Sequence, residues 1–183
     1  MKTVRLGRTA APVSELCFGT MSFGGDADDL GAIAMLHKFA DEGVIDLQAI
    51  ILWSNEEYAV PALVAVNQYY GRPELSIGVR ETPLWRTEWN HTKIIADSMP
   101  YDRSSVSDVK PAVALYRELL AASDDQSVTI VTVGPLANIQ NLLQSPADSI
   151  SPLPGRELLV SLLLFQRIRY STCQAMFPLN RAA

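Results

Sequence analysis

The sequence alternates between short segments typical of β-strands and longer segments with the three-to-four residue periodicity of helices. Four of the strands are predicted at Leu16–Thr20, Ile45–Trp53, Leu75–Val79 and Ser127–Val133. The helices are predicted at Leu30–Glu42, Tyr58–Tyr70, Val109–Ala122 and Leu136–Gln144. This alternation predicts an α/β fold with an open, mainly parallel sheet flanked by helices. Because such sheets bind ligands beyond the carboxyl ends of their strands, residues that directly follow a strand are candidate site residues.

The remaining segments give weaker patterns. Thr3–Leu6 is predicted to be a short strand that a turn at Ala11-Pro12 separates from the next one. The stretch 81–100 is rich in Trp and polar residues and is predicted to form a long, partly helical loop, while the prolines in 146–154 predict a second loop. His37, on the first predicted helix, is expected to lie on the surface.

The composition and charge of the chain exclude several classes of function. The chain has 183 residues with 20 acidic and 15 basic side chains, which favours one domain. A pI near 5.0 argues against nucleic acid as a partner. The longest nearly apolar run, Leu158–Phe165, is too short for a membrane span, so no membrane partner is expected. No secretory signal is visible, and Cys17 and Cys173 lie far apart, which predicts a reducing, cytoplasmic location.

An acidic loop, Gly24-Gly25-Asp26-Ala27-Asp28-Asp29, lies between a predicted strand and a predicted helix. Three carboxylates within four residues repel one another unless a cation or the positive end of a helix compensates their charge. Two interpretations stay open. Asp26 or Asp28 caps the helix while the others favour its dipole, or the carboxylates hold a hard cation such as Ca²⁺ or Mg²⁺, which prefers oxygen ligands.

From residue 26 to residue 159 the sequence resembles the inosine/uridine-preferring nucleoside hydrolases. The resemblance depends on four stretches, which occur in the family's order: GGDADDLGA (24–32), WSNEEYAVPA (53–62), NQYYGRP (67–73) and VTIVTVGPLAN (128–138). It implies the N-terminal half of a Rossmann-like α/β domain of the nucleoside hydrolase type. The implied activity is Ca²⁺-dependent hydrolysis of the N-glycosidic bond of a ribonucleoside, which yields ribose and the free base.

The resemblance also implies roles for four residues. Asp29 would ligate Ca²⁺ directly, together with the backbone carbonyl of Val133. Asp28 would hydrogen-bond the ribose, and Asn55 would contact the ribose from the end of the second strand of the domain. Plainer interpretations stay open for two of them, because Asn55 is also a common turn residue and Val133 is also an ordinary strand residue.

Three regions depart from the family pattern. Aligning backwards from the acidic loop places Thr20 and Ser22 where the family has aspartates, and the second of these is the family's general base and a calcium ligand. Residues 1–28 instead resemble the start of aldo-keto reductases, which suggests segments 1–25 (reductase-like strand and hairpin), 26–159 (hydrolase-like domain) and 160–183 (unassigned basic tail). The family's second half has no counterpart, so no catalytic residue is expected to be intact.

The function interpretations that follow differ in how much chemistry survives. The first is a nucleoside hydrolase-like protein of impaired activity, with a small ribonucleoside as its ligand and Ca²⁺ as its cofactor. The second is a non-catalytic remnant that binds Ca²⁺ or ribose weakly, and the least favoured is an NADPH-dependent oxidoreductase. Trp85, Trp89 and Tyr101 would either stack on a base or pack internally, and His91 has no family match. An open sheet edge would favour homo-oligomers.

Overall fold

The computed structural model describes residues 4–6, 11–13, 16–21, 27–82, 91–124, 127–133 and 135–162. The first two strands form a separate antiparallel ribbon, in which β1 (Val4–Leu6) pairs with β2 (Ala11–Val13). The predicted turn at Ala11-Pro12 is therefore wrong, since both residues belong to β2. A two-stranded ribbon leaves each strand with an unpaired side, where a proline without an N–H group is tolerated.

Among the described residues the main sheet has five strands, and every pair of neighbours is parallel. The spatial order is β6-β5-β4-β3-β7. The strands are β3 (Leu16–Met21), β4 (Asp46–Leu52), β5 (Ser76–Val79), β6 (Lys110–Pro111) and β7 (Val128–Val133). The prediction of an α/β fold with a parallel sheet flanked by helices is confirmed, whereas its assignment to the nucleoside hydrolase type stays a prediction.

Helices connect the strands of this sheet. They are α1 (Ala27–Asp41), α2 (Ala59–Tyr69), α3 (His91–Ser98), a 3-10 helix (Arg103–Ser107), α4 (Ala112–Ala122), α5 (Ala137–Gln144) and α6 (Gly155–Leu162). The predicted start of α4 at Val109 is wrong, because Lys110 and Pro111 pair with β5 as β6. None of the helices among the described residues combines the length and the apolar character that crossing a bilayer requires.

Strand β4 contributes side chains to both hydrophobic cores. Ile50 and Leu52 belong to the core that α2 covers together with Ile33 of α1, while Ala49 and Ile51 belong to the core beneath α4, α5 and α6. All four β4 residues are fully buried. This burial on both faces explains the continuous apolar run of the strand, which is typical of parallel sheets with helices on each side.

Arg117 of α4 organises the loop between α5 and α6. Its side chain is 1% exposed, and its Nε and Nη2 donate to the two carboxylate oxygens of Asp148 at 2.7 and 2.8 Å. The guanidinium also donates to Ser145 Oγ and to the carbonyl oxygens of Ser151 and Leu153. This bidentate pairing satisfies a buried cation, and it holds the pKa of Asp148 below its ordinary value. One side chain thus fixes the loop that leads into α6.

His37 is buried, which contradicts its predicted surface position. Within 29–41 of α1 the buried residues are Asp29, Ile33 and His37, spaced four residues apart on one face, whereas the aromatic Phe39 is 38% exposed. His37 Nε2 donates to Asn67 Oδ1 at 3.0 Å, and its ring stacks on Tyr70 with centroids 4.6 Å apart. Burial lowers the pKa of His37 from its ordinary 6.5. The imidazole therefore packs as a neutral ring.

The protonation of His37 predicts a pH dependence of stability. Below pH 6.5 the unfolded chain binds a proton at this site more readily than the folded chain does, so the free energy of unfolding decreases as the pH falls. The nearby charges are Arg72, which also lowers the pKa of His37, and Asp41, which raises it. Urea unfolding at pH 8 and pH 5.5 measures the decrease. We expect a smaller decrease for His37→Gln, and a decrease like that of the unmodified chain for His91→Gln, which replaces the other histidine. Equal decreases in all three proteins would contradict the assignment.

Candidate functional site

The connection order of the sheet defines a switch point between β3 and β7. From β3 the chain proceeds through β4, β5 and β6 toward one edge, and it then returns to place β7 on the other side of β3. The last residues of the two strands, Met21 and Val133, are partners in the register. Ligands of open α/β sheets bind in the crevice beyond the carboxyl ends at such a point, which makes this edge the candidate site.

Asp28 and Asp29 occupy the first turn of α1, the helix that follows β3. Asp29 is 7% exposed, which is unusual for a carboxylate. The positive end of the helix dipole favours a carboxylate at this position, so the helix-terminus interpretation fits. The metal interpretation also fits, since the same carboxylate lies beside the switch point. Asp26 and Ser22 lie outside the described residues.

Val133 lies at the end of one other strand and Asn55 lies shortly after the end of another, and both strands end at the same edge. Val133 is the last residue of β7, and its carbonyl belongs to the strand end beside β3. Asn55 lies after β4, is exposed, and donates from Nδ2 to the carbonyl oxygen of Thr82 at 3.2 Å. This contact joins the loop after β4 to the loop after β5. The structure therefore places the predicted residues at one edge of the sheet, and it gives Asn55 a role in connecting the loops.

Asn138 contributes to this edge in a way that the sequence did not reveal. It lies in the first turn of α5 and is 2% exposed. Its Nδ2 donates to the carbonyl oxygen of Leu52, the last residue of β4, at 3.0 Å. The same oxygen accepts the backbone N–H of Arg80, directly after β5, at 3.2 Å. The segments that leave β4, β5 and β7 are thus connected through one carbonyl group.

A second set of contacts fixes the loop after β4. Glu56 accepts from the Tyr58 backbone N–H and from Thr92 Oγ of α3, both at 3.0 Å. The guanidinium of Arg80 lies over the Trp53 ring, 5.2 Å from its centroid, a distance that allows a cation–π interaction. The contacts of Glu56 with Thr92 and of Arg80 with Trp53 join residues more than twenty positions apart, so periodicity and motif spacing could not show them.

The donor set is compatible with a hard cation. The carboxylate of Asp29 and the carbonyl of Val133 are oxygen donors, which Ca²⁺ prefers. Within the described ranges, however, no group of three or more His, Cys, Asp and Glu side chains is arranged to hold a metal. Further ligands would have to come from backbone oxygens or water.

Of the other predicted candidates, one packs against the hydrophobic core and two lie outside the described residues. Tyr101 packs against the core that contains Ile50, which supports its internal packing rather than base stacking. Trp85 and Trp89 lie outside the described residues, and His91 is the first residue of α3. Comparison of the sequence with models of known protein families gives no match, and comparison with curated proteins gives no significant one.

The contact between Asn138 and Leu52 predicts a measurable contribution to stability. Asn138→Ala removes a buried hydrogen bond, and we expect the free energy of unfolding to fall by about 1–2 kcal/mol. Asn141→Ala is the matched control, because Asn141 lies on the same helix and is exposed, so its loss should stay within about 0.5 kcal/mol. Chemical denaturation measures both values. Equal losses in the two variants would show that the Asn138 amide does not hold the strand end.

Proposed function

We propose that the chain is a nucleoside hydrolase-like protein that binds Ca²⁺ and the ribose of a ribonucleoside beyond the carboxyl ends of β3 and β7. The observation that carries this proposal is that β3 and β7 end side by side at the switch point. Val133 is the last residue of β7, and the buried Asp29 lies in the first turn of the helix that follows β3. The resemblance assigns calcium binding to these same two residues.

The arrangement suits recognition of a sugar. A ribose presents vicinal hydroxyls, which a bound cation and neighbouring carboxylate and amide groups can hold together. Asp28 directly precedes the buried Asp29 in the chain, and Asn55 is exposed on the loop after β4, a position from which it can contact a ligand in the crevice. When bound, Ca²⁺ would orient the sugar hydroxyls and lower the pKa of a water molecule.

Hydrolysis is proposed to be greatly reduced. Cleavage of the N-glycosidic bond passes through an oxocarbenium-like state and needs a base to take a proton from the attacking water. In the resemblance that base is an aspartate, whereas this chain has Ser22. A serine hydroxyl is uncharged near pH 7, so it neither accepts this proton readily nor supplies charge to a cation. We also propose a cytoplasmic location, because two cysteines that lie far apart in the sequence are typical of a reducing compartment.

Calcium binding has a direct thermodynamic readout. A ligand present at about 100 times its Kd stabilises the folded state by about 2.7 kcal/mol, so Ca²⁺ should raise the midpoint of thermal unfolding and a chelator should reverse the shift. We expect Asp29→Asn to abolish the increase. Asp46→Asn should retain it, because Asp46 is an exposed carboxylate at the opposite, amino end of β4. The absence of any shift in the unmodified chain would refute the calcium site, and an equal loss in both variants would refute its location.

The catalytic part is tested separately, by release of nitrophenol from a nitrophenyl riboside with Ca²⁺ and then with excess chelator. We expect little or no release by the unmodified chain and chelator-sensitive release by Ser22→Asp, because the substitution restores a carboxylate base. Ser22→Asn is the control, since it has nearly the same shape and cannot act as a base. Chelator-sensitive turnover by the unmodified chain would overturn the proposed impairment. If none of the three proteins released nitrophenol, a carboxylate at position 22 would be insufficient to restore hydrolysis.

A further inference from the structure

The two outer strands of the main sheet differ in how well they resist pairing with another chain. β6 consists of Lys110 and Pro111, and both residues are exposed. A very short strand, a lysine and a proline are features by which natural sheets protect an edge. β7, on the other side of the sheet, has the six-residue sequence VTIVTV without charge, proline or glycine, and its register with β3 is unbroken. β7 therefore has none of these protective features.

One face of β7 is incompletely covered. Among the described residues, β3 is the only strand that pairs with β7. Val128 and Ile130 belong to the core beneath α4, α5 and α6. Because side chains alternate along a strand, Val131 lies on the opposite face of the sheet, which is the face of α1 and α2. Val131 is 40% exposed, so the helices on that face leave it partly open.

Two exposed apolar side chains of α1 point toward the same side of the sheet. Met35 is 58% exposed and Phe39 is 38% exposed. Each lies two positions from His37, which places it about 160° around the helix axis from that residue. His37 contacts Asn67 of α2, so Met35 and Phe39 are directed away from α2. Since α1 follows β3 and α2 follows β4, the side away from α2 is the side of β7. Met35, Phe39 and Val131 together are called the β7 surface below.

We propose that the β7 surface is the interface of a homodimer, in which β7 pairs antiparallel with β7 of a second copy about a two-fold axis near Val131. A two-fold axis brings the same patch of both subunits together, so a charged strand would meet its own charge. β7 carries no charge, which makes it compatible with itself. An axis normal to the sheet also places both α1 helices on the same face, where Met35 and Phe39 of each copy cover the two exposed valines.

A second copy fits this surface better than an unrelated extended peptide. A peptide would supply a strand, but it would leave the apolar side of α1 uncovered, whereas a second copy supplies both the strand and the helix. The protected β6 edge stops the joined sheet from adding further chains. The association therefore ends at two subunits. It requires neither Ca²⁺ nor a nucleoside, so its test is independent of the proposed function.

Analytical ultracentrifugation of the full chain tests the dimer. Over about a hundredfold range of concentration around the Kd, the mass should rise from 20.1 kDa to twice that value. Val131→Lys places two like charges opposite each other, and it should raise the dimer Kd about tenfold or more. Ile94→Lys, which adds the same charge at a 61% exposed position of α3, should leave the Kd unchanged. Equal effects of the two variants would overturn the proposal.

A mixture of opposite charges tests the position of the axis. Val131→Lys and Val131→Glu chains, mixed in equal amounts, should form a heterodimer about tenfold more tightly than either variant dimerises alone. No gain in the mixture would overturn the pairing at Val131, and oligomers larger than two would contradict the protection of β6. A monomeric unmodified chain would also overturn the proposal. If Val131→Lys then lowered the free energy of unfolding and Ile94→Lys did not, a segment of the same chain would be the occupant of the β7 surface.

Discussion

The burial of β4 on both faces is the constraint on which the rest of the structure depends. Consecutive side chains of a strand point to opposite sides of the sheet, so the run Ala49–Leu52 can be buried throughout only if helices cover both faces. One core forms against α1 and α2, and the other forms against α4, α5 and α6. Helices on both faces require crossover connections between parallel strands, and these crossovers bring all the carboxyl ends to one edge.

Buried polar groups complete this packing. His37 with Asn67, Arg117 with Asp148, and Asn138 with the Leu52 carbonyl each join segments about thirty or more positions apart in the sequence. In a low-dielectric interior such groups are tolerated because they are paired. They fix which helix lies beside which strand, whereas the apolar residues alone would tolerate several arrangements of similar volume.

The sequence predicts the positions of the strands and helices more reliably than the tertiary contacts of individual residues. Strands β4, β5 and β7 and helices α1, α2 and α5 lie within a few residues of their predicted positions, because periodicity and β-branched runs express burial directly. Pro111 was misassigned because its pairing with Val79 is a tertiary contact. His37 was misassigned because the sequence around it gives no indication of Asn67, whose amide oxygen accepts the hydrogen bond of the buried imidazole.

The residues of the candidate site could be predicted from the sequence, whereas the contacts between its loops could not. Asp29, Asn55 and Val133 were assigned to the ends of strands from motif and order alone, and the fold brings those ends to one edge. The bond between Asn55 and Thr82 and the one between Asn138 and Leu52 depend on how neighbouring crossovers pack. No local pattern encodes such packing, so these contacts could be found only in the folded chain.

The pairing of β3 with β7 has a consequence for how the protein forms. Met21 and Val133 are neighbours in the sheet although the chain between them contains β4, β5, β6 and the helices α1 to α4. Contacts between such distant segments carry the largest loop-closure cost and tend to slow folding. During synthesis, this edge of β3 can gain its partner strand only after β7 has emerged. The crevice between β3 and β7 exists only after that step, so a chain interrupted before residue 128 would lack β7 and with it the switch point.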